Sequence, residues 1–369
     1  MKILHLLDTL NRGGAETLVL DVCRNASRVD LDIAFVTSGG GHLLEEFESS
    51  GVAFFRLKRR LPFDPILVFG LRNIIINNKI DIIHTHQAVD ALHALAARGR
   101  LPARVVLTHH GIIPDRKNHI ALRFLIPRVD HNIVVAKSMK KDYEAELKLR
   151  FPIRTSVIYN GVDTQRLRPS GHQLRAELGI SPTAPLIGMI GHFYPEARKD
   201  QMTLCRALPK VLAEFPDAYC IFAGQTMSGA EPKFAECVNF CRENGIDTKV
   251  NFLGGRSDVP DILSALDLFV FSSLKEGLPI ALNEAMLAGV PVIVSDIEPL
   301  LEATANGEYG EVFPVKNAEI LSEKILKLLR DDGLRKDLAE RALHYARENF
   351  SIEAHLGELK KLYQSLLDK

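Results

Sequence analysis

The sequence predicts an α/β protein made of two Rossmann-like, doubly wound domains in tandem. Three observations predict it. Short β-rich runs alternate with helical patterns along the chain, the signature of parallel sheets joined by crossover helices. The alternation breaks once at a polar, turn-forming stretch and then restarts. The length, 369 residues, suits two domains, and 46% hydrophobic residues can fill two cores.

In the first half, strands are expected at 2–7, 32–37, 52–57, 81–85, 104–108, 132–135 and 156–159. Helices are expected between them at 15–25, 66–76, 91–98 and 138–147. Tyr159-Asn160-Gly161-Val162-Asp163 ends the last strand, and the polar run Arg166-Leu167-Arg168-Pro169-Ser170-Gly171 reads as the inter-domain linker. The domains are therefore drawn as 1–165 and 166–349. In the second, strands are expected at 186–190, 219–223, 250–253, 268–272 and 292–295, with helices at 201–215, 232–244, 259–265, 279–288, 318–330 and 334–348. A last helix, 352–367, follows Ser351, a suitable N-cap. Two such sheets present two rows of strand C-terminal ends, and ligands bind outside those ends, so a central cleft between the domains is the expected site.

Composition removes several classes. Formal net charge is zero, so no nucleic-acid partner is expected and any anion site must come from local placement. No apolar run approaches the roughly 20 residues that span a bilayer, and the apolar start of the chain is too short for a signal peptide. A cytoplasmic protein is expected. The five cysteines lack CxxC spacing and read as small core residues, Cys237 and Cys241 sharing a helix.

The segment richest in chemistry runs from Phe271 to Pro291. A buried strand ends at Ser272, Pro279 suits a first helical position and Gly289 a C-terminal cap. The helix start would aim the amides of Gly277, Leu278 and Ile280 at an anion, such as a diphosphate. Glu276 and Glu284 flank that pocket, at most roughly 12 Å apart along the helix. One could take sugar hydroxyls and the other a ribose; a general acid/base pair for hydrolysis and a capping acid beside a solvated glutamate are the other readings.

Arg198 and Lys199 follow the first strand of the second domain, where they could neutralise a departing diphosphate or simply be solvated. Thr9–Glu16 joins the first strand to the first helix, and its Gly13 and Gly14 allow close approach of a ligand. It is not GxGxxG and no acid ends the second strand, which disfavours a dinucleotide site. His84, His86, His109 and His110 stand at strand ends, where they suit ligand hydrogen bonds, core positions or, lacking an HExxH pattern, less readily a zinc site.

Glu276…Glu284 within EGLPIALNEAMLAGVPVIVSD resembles the EX7E motif of retaining glycosyltransferases of family 4, which have the GT-B fold of two Rossmann-like domains. The likeness covers nearly the whole chain and includes Gly13–Glu16, His84-Thr85-His86, Thr108–Gly111, Val157–Asp163 and Gly254–Val259. It implies that Glu284 binds the ribose, Glu276 the donor sugar, and the amides of Gly277, Leu278 and Ile280 the sugar and phosphate. It implies that the stretch carrying Arg256 and Asp258 holds the base, mainly through backbone, that His110 sits by the donor sugar, and that Gly14 admits the diphosphate. It also implies that the last helix, 350–369, packs back on the first domain. One departure stands out: His192 occupies the place of the family's arginine, the loop to Lys199 is one residue longer, and Arg198 is the substitute guanidinium.

The reading is a retaining, metal-independent hexosyltransferase with Glu276, His110 and Lys199 as catalytic residues. Retention follows from the resemblance; the absence of a suitably placed DxD points to basic residues and helix amides in place of a metal. No cofactor is expected beyond a UDP- or GDP-sugar as co-substrate. The first domain would take a glycan or lipid-linked acceptor of envelope polysaccharide, lipopolysaccharide or glycolipid synthesis. Phe54 to Arg60, Asp115 to Lys117 and Lys137 to Lys141 would add peripheral contact with the inner face of the membrane. The rivals are a nucleotide-sugar hydrolase or epimerase of the same fold, a non-catalytic nucleotide-sugar-binding subunit, and, least, an oxidoreductase.

Overall fold

The computed structural model describes residues 1–111 and 116–368. Two compact units account for the chain: Met1–Asp163 with Asn349–Lys369, and Thr164–Glu348. Each is an α/β unit with one parallel sheet.

Unit 1 runs β1 (Lys2–Leu7), α1 (Gly14–Asn25), β2 (Asp32–Thr37), α2 (Leu44–Glu48), β3 (Ala53–Arg56), α3 (Pro65–Asn77), β4 (Ile82–Thr85), α4 (Ala88–Arg98), β5 (Arg104–His109), α5 (Arg116–Leu125), β6 (His131–Val134), α6 (Lys137–Leu147) and β7 (Thr155–Val157). The sheet order is β3-β2-β1-β4-β5-β6-β7, all parallel. β1 is central and buried almost throughout, which is why its sequence is a continuous apolar run rather than an alternation. From β1 the chain winds outward to β3, then returns to add β4 on the other side, so the winding reverses between β1 and β4.

Unit 2 runs α7 (Leu174–Glu177), β8 (Leu186–Ile190), α8 (Gln201–Glu214), β9 (Tyr219–Ala223), α9 (Glu231–Glu243), β10 (Val250–Gly254), α10 (Val259–Ala265), β11 (Leu268–Phe271), α11 (Ile280–Leu287), β12 (Val292–Ser295), α12 (Glu298–Ala303), β13 (Glu311–Phe313), α13 (Ala318–Arg330) and α14 (Asp332–Phe350), whose last two residues belong to unit 1. The order β10-β9-β8-β11-β12-β13 repeats the plan, with the reversal between β8 and β11. The five cysteines are buried thiols; Cys205, Cys220, Cys237 and Cys241 belong to the core of this unit.

α15 (Ile352–Leu367) completes unit 1 against α1. Ser351 caps it, its hydroxyl accepting from the Ala354 amide at 3.2 Å. The segment Asn160–Asp163 is the seat of this helix. The Val162 amide donates to the Phe350 carbonyl and the Val162 carbonyl accepts from the Ile352 amide, both at 2.9 Å. The Asp163 carboxylate accepts from the Asn25 side chain at 3.0 Å. Gly161 has to be glycine: a Cβ there would lie 2.6 Å from the Cβ of His355 and 3.0 Å from the Cα of Ile352.

The expected elements are present with shifted ends. Pro279 is not the first helical residue of α11; it is the extended N-cap, and the helix starts at Ile280. α2, α5, α7, α12 and β13 lie where no element was assigned: β13 has three residues, too few to show a period, and α5 opens on the polar run Arg116-Lys117-Asn118-His119. The linker is not a free strap, because Asp261 accepts from Ser170, Gly171 and His172 at 2.8–3.2 Å and binds it to unit 2. Asp115 lies outside the described residues.

Gly161→Ala should destabilise the protein by about 1–3 kcal/mol, the usual range for overpacking. Urea denaturation would measure it, and an unchanged midpoint would show that α15 is not seated against Gly161.

Candidate active site

In unit 2 the loops after β8 and β11 meet at the edge where the winding reverses. Lys199 bridges to Ser273 in an antiparallel pair, the Asp200 amide donates to the Ser272 carbonyl at 3.0 Å, and the Leu274 amide donates to the Arg198 carbonyl at 2.6 Å. Ser295, at the end of β12, braces this junction by accepting from the Ser273 amide at 2.8 Å. Gly191 leaves room for the Lys199 chain, since a Cβ there would stand 3.2 Å from Cε.

The junction holds a nearly buried ion pair. Lys199 Nζ donates to Glu276 Oε1 at 2.5 Å, with the side chains only 11% and 7% exposed. The Ser273 hydroxyl stands 2.5 Å from the same oxygen, and the ammonium lies 4.0 Å above the Phe271 ring. Burial pulls the Lys199 pKa below the ordinary lysine value; Glu276 opposes that shift and the nearby Arg198 adds to it. An ammonium held this way has little solvent to give up when an anion arrives.

Glu284 lies in the second turn of α11, a helix buried on nearly every side. Its carboxylate pairs with Arg166 at 2.8 Å. Gly277, Leu278 and Ile280 are all buried where the loop enters α11. Ile280, as the first helical residue, contributes one of the amides a helix leaves without an internal partner.

The other expected residues are placed differently. The Arg198 guanidinium rests 4.7 Å over the Tyr194 ring. The Arg256 fork is closed on Asp258, at 2.6 and 2.8 Å, and on Glu177, at 2.9 and 3.1 Å, so both side chains serve each other. With Arg256 first and His172 second, Glu177 is held down to about 2. His192 Nδ1 accepts from the Gln225 amide at 2.9 Å, which puts the ring proton on Nε2. A guanidinium there would have no acceptor to offer that amide.

In unit 1 the matching edge, between β1 and β4, carries histidines. His5 and His84 are register partners in β1 and β4. His86 Nε2 lies 3.0 Å from His5 Nδ1, and His86 Nδ1 lies 3.0 Å from His110 Nε2. Burial lowers all four pKa values, to about 3 for His5 and His110, so the rings are neutral at pH 7. His109 turns away to Asn132 and packs on Tyr143. Gly14 is exposed at the start of α1. The neighbouring glycines mainly serve the protein: a Cβ on Gly39 would lie 2.2 Å from the Asp8 carbonyl oxygen, and one on Gly41 2.3 Å from the Leu10 carbonyl carbon.

With this geometry in hand, the comparisons are direct. The family model "Glycosyltransferase Family 4" matches residues 12–166, and "Glycosyl transferases group 1" matches residues 172–345. The chain belongs to glycosyltransferase family 4. It is 25% identical, over 98% of its length and 96% of the other's, to the UDP-Gal:alpha-D-GlcNAc-diphosphoundecaprenol alpha-1,3-galactosyltransferase of Escherichia coli. It is 25% identical, over 96% and 94% of the two chains, to the N-acetyl-alpha-D-glucosaminyl L-malate synthase of Bacillus anthracis. Among solved structures, HepE of Anabaena, crystallised with UDP and glucose, superposes with a TM-score of 0.86 at 21% identity, covering 99% of this chain and 100% of HepE. The protein is thus a glycosyltransferase of GT-B architecture.

In this family 4 glycosyltransferase, sequence reasoning missed His5, Ser273, Arg166 and Tyr363. His5 reads as one more core position of β1. Arg166 was absorbed into the linker, although it follows the Asn160–Asp163 segment closely. Ser273 reads only as the residue that follows the strand ending at Ser272.

Glu276→Gln should lower stability by about 3–5 kcal/mol, because it leaves a nearly buried ammonium without its counter-charge. The double variant Lys199→Met/Glu276→Gln should lose less than the sum of the two singles. Urea titration of all four proteins gives the coupling, and strict additivity would mean that the pair does not interact.

Proposed function

We propose that the protein transfers a hexose-type sugar from a nucleoside diphosphate donor, by preference UDP-linked, to a hydroxyl of a lipid-linked or glycan acceptor, with retention at the anomeric carbon and without a metal ion or cofactor. Unit 2 takes the donor and unit 1 the acceptor. The observation that carries this reading is the Lys199–Glu276–Ser273 cluster. A diphosphate arriving at Lys199 competes with Glu276 for the ammonium. The exchange frees the carboxylate to accept from sugar hydroxyls while Lys199 and the α11 amides take the phosphate charge. Glu284 takes the ribose hydroxyls, with Arg166 holding its carboxylate in place, and the backbone of Gly254–Val259 lies against the base. His110 contacts the donor sugar and Gly14 leaves space beside the diphosphate. The bond from the anomeric carbon to the diphosphate oxygen breaks, the acceptor oxygen attacks from the same face, and its proton passes to the departing phosphate. The names of the relatives support a UDP-sugar donor and an envelope acceptor.

A membrane-bound acceptor agrees with the surface of unit 1, though through only some of the residues expected. Phe54 stacks on Phe35 and Arg59 is forked onto Asp8, so neither is available to lipid. The exposed apolar residues are instead Leu61 and Phe63 ahead of α3 and Ile66, Phe69 and Ile76 on it. Ile120 and Phe124 on α5 are exposed too, and α3 and α5 both pack against α4. Lys58, Arg60, Arg116, Lys117 and Arg123 are exposed near them in sequence. Among the described residues no helix is long and apolar enough to cross a membrane. We assign this surface to contact with anionic lipid.

Two experiments test these readings. With a UDP-sugar and an undecaprenyl-linked acceptor, Lys199→Ala should reduce turnover by about a hundredfold, the scale for a lost transition-state donor, and more than Arg198→Ala. Glu284→Gln should chiefly weaken donor binding. Activity should survive strong chelator, and loss restored by Mn²⁺ would end the metal-free mechanism; sugar release without acceptor would mark a hydrolase. In co-sedimentation, the wild type should bind anionic vesicles at low salt and release at high salt, at about 1 kcal/mol per basic residue. Lys58→Ser/Arg60→Ser/Ile66→Ser/Phe69→Ser should stay in solution, and wild type remaining with it at low salt would refute the lipid contact.

A further inference from the structure

Four histidines of unit 1 form one continuous hydrogen-bonded chain that passes through Tyr363 on the last helix. Starting at His110, Nε2 meets His86 Nδ1 at 3.0 Å, and His86 Nε2 meets His5 Nδ1 at 3.0 Å. His5 Nε2 lies 3.4 Å from the Tyr363 hydroxyl, which in turn lies 2.5 Å from His84 Nδ1. His84 Nε2 closes the chain on the Thr108 hydroxyl at 2.6 Å. The rings of His5 and His86, and of His86 and His110, lie edge to edge and near coplanar, with centroids 5.3 Å apart and interplanar angles of 21° and 23°. Every member from His5 to Tyr363 is buried.

Each nitrogen-to-nitrogen contact holds one proton. Burial disfavours the imidazolium at every ring of the chain, so each ring is neutral, carries one proton and is a single tautomer. Neutral rings in series can be ordered in only two ways, and the choice at one end fixes the other. The Tyr363 hydroxyl decides it, since it has one proton and two imidazole neighbours. In the arrangement proposed below, the Tyr363 proton fills the short 2.5 Å contact to His84 Nδ1, and the 3.4 Å contact is filled from His5 Nε2. His5 then carries its proton on Nε2 and accepts at Nδ1. His86 carries its proton on Nε2 and accepts at Nδ1. His110 carries its proton on Nε2.

We propose that Tyr363 is a positioning residue that, through His5 and His86, fixes His110 as the Nε2-protonated tautomer, so that His110 offers Nδ1 as an acceptor to a substrate hydroxyl. The recognition half rests on the reading of His110 as a donor-sugar contact; the tautomer half stands without it. The last helix thereby sets the hydrogen-bonding sense of a residue at the edge of the sheet. The same histidines raise a competing chemistry: ring nitrogens of His5, His84 and His86 lie within 4.8 Å of one another, the one such group among the described residues. Both nitrogens of His84 and of His86 are already engaged in the chain, so a metal would have to dismantle it.

The test is long-range proton–nitrogen NMR on the full chain labelled with ¹⁵N-histidine, His110 being assigned by loss of its signals in His110→Gln. The wild type should show His110 protonated at Nε2 and bare at Nδ1. In Tyr363→Phe, which keeps the buried ring, the two nitrogen shifts of His110 should move toward each other as both tautomers become populated. A wild-type His110 protonated at Nδ1, or an unchanged tautomer in Tyr363→Phe, overturns the proposal; the first result decides even if the variant fails to fold. Titration with Zn²⁺ alone should leave the signals of His5, His84 and His86 in place, and their stoichiometric loss would replace the chain with a metal site. Because no substrate is present, these outcomes are independent of whether the protein transfers sugar as proposed.

Discussion

Parallel pairing is the constraint on which the rest of this molecule depends. A parallel sheet places every strand's carboxyl end on one edge, and the loops leaving neighbouring strands diverge only where the winding reverses. Unit 1 reverses between β1 and β4, and unit 2 between β8 and β11. His5 and His86 stand at the first reversal, Lys199 and Glu276 at the second. Residues far apart in sequence meet there because the strand order leaves room beyond the sheet at that point.

The two reversals handle buried polarity in opposite ways. Unit 1 keeps its groups neutral: burial pushes the histidines well below their usual range, and each proton is shared along a chain. Unit 2 keeps charge, and balances the Lys199 ammonium with Glu276, a hydroxyl and a ring face. A neutral edge can sort hydroxyls by hydrogen bonding. A charged pair can be exchanged for a phosphate and a polyol with little net change in buried charge.

The fold was legible because its signals are local. Apolar runs, Ser351 as a cap and Gly289 after α11 each act within a few residues, and they place most elements. The short β13 was invisible because three residues carry no period; it is held by its pairing with β12. In the site, Glu276, Glu284 and Lys199 were legible as residue types at strand and helix ends. What they pair with was not. The Lys199–Glu276 contact spans 77 positions, and the His84–Tyr363 contact spans 279. Such contacts follow from strand order, which no window of sequence contains. The next loop shows the same limit: nothing local in the sequence says that Gly39 and Gly41 leave space for the backbone of Asp8 and Leu10.

The spacing between Glu276 and Glu284 gains a physical meaning from their partners. Glu276 precedes the helix and answers to Lys199, on the loop after β8; Glu284 lies inside the helix and answers to Arg166, at the start of unit 2. Placing one carboxylate in the loop and the other in the second turn puts them on two different cations, so neither competes for the other's counter-charge. A shorter spacing would crowd both carboxylates onto the α11 N-terminus, where like charges repel. Pro279 between them holds the chain extended and starts the helix without offering an amide of its own. The separation therefore gives each carboxylate a cation of its own.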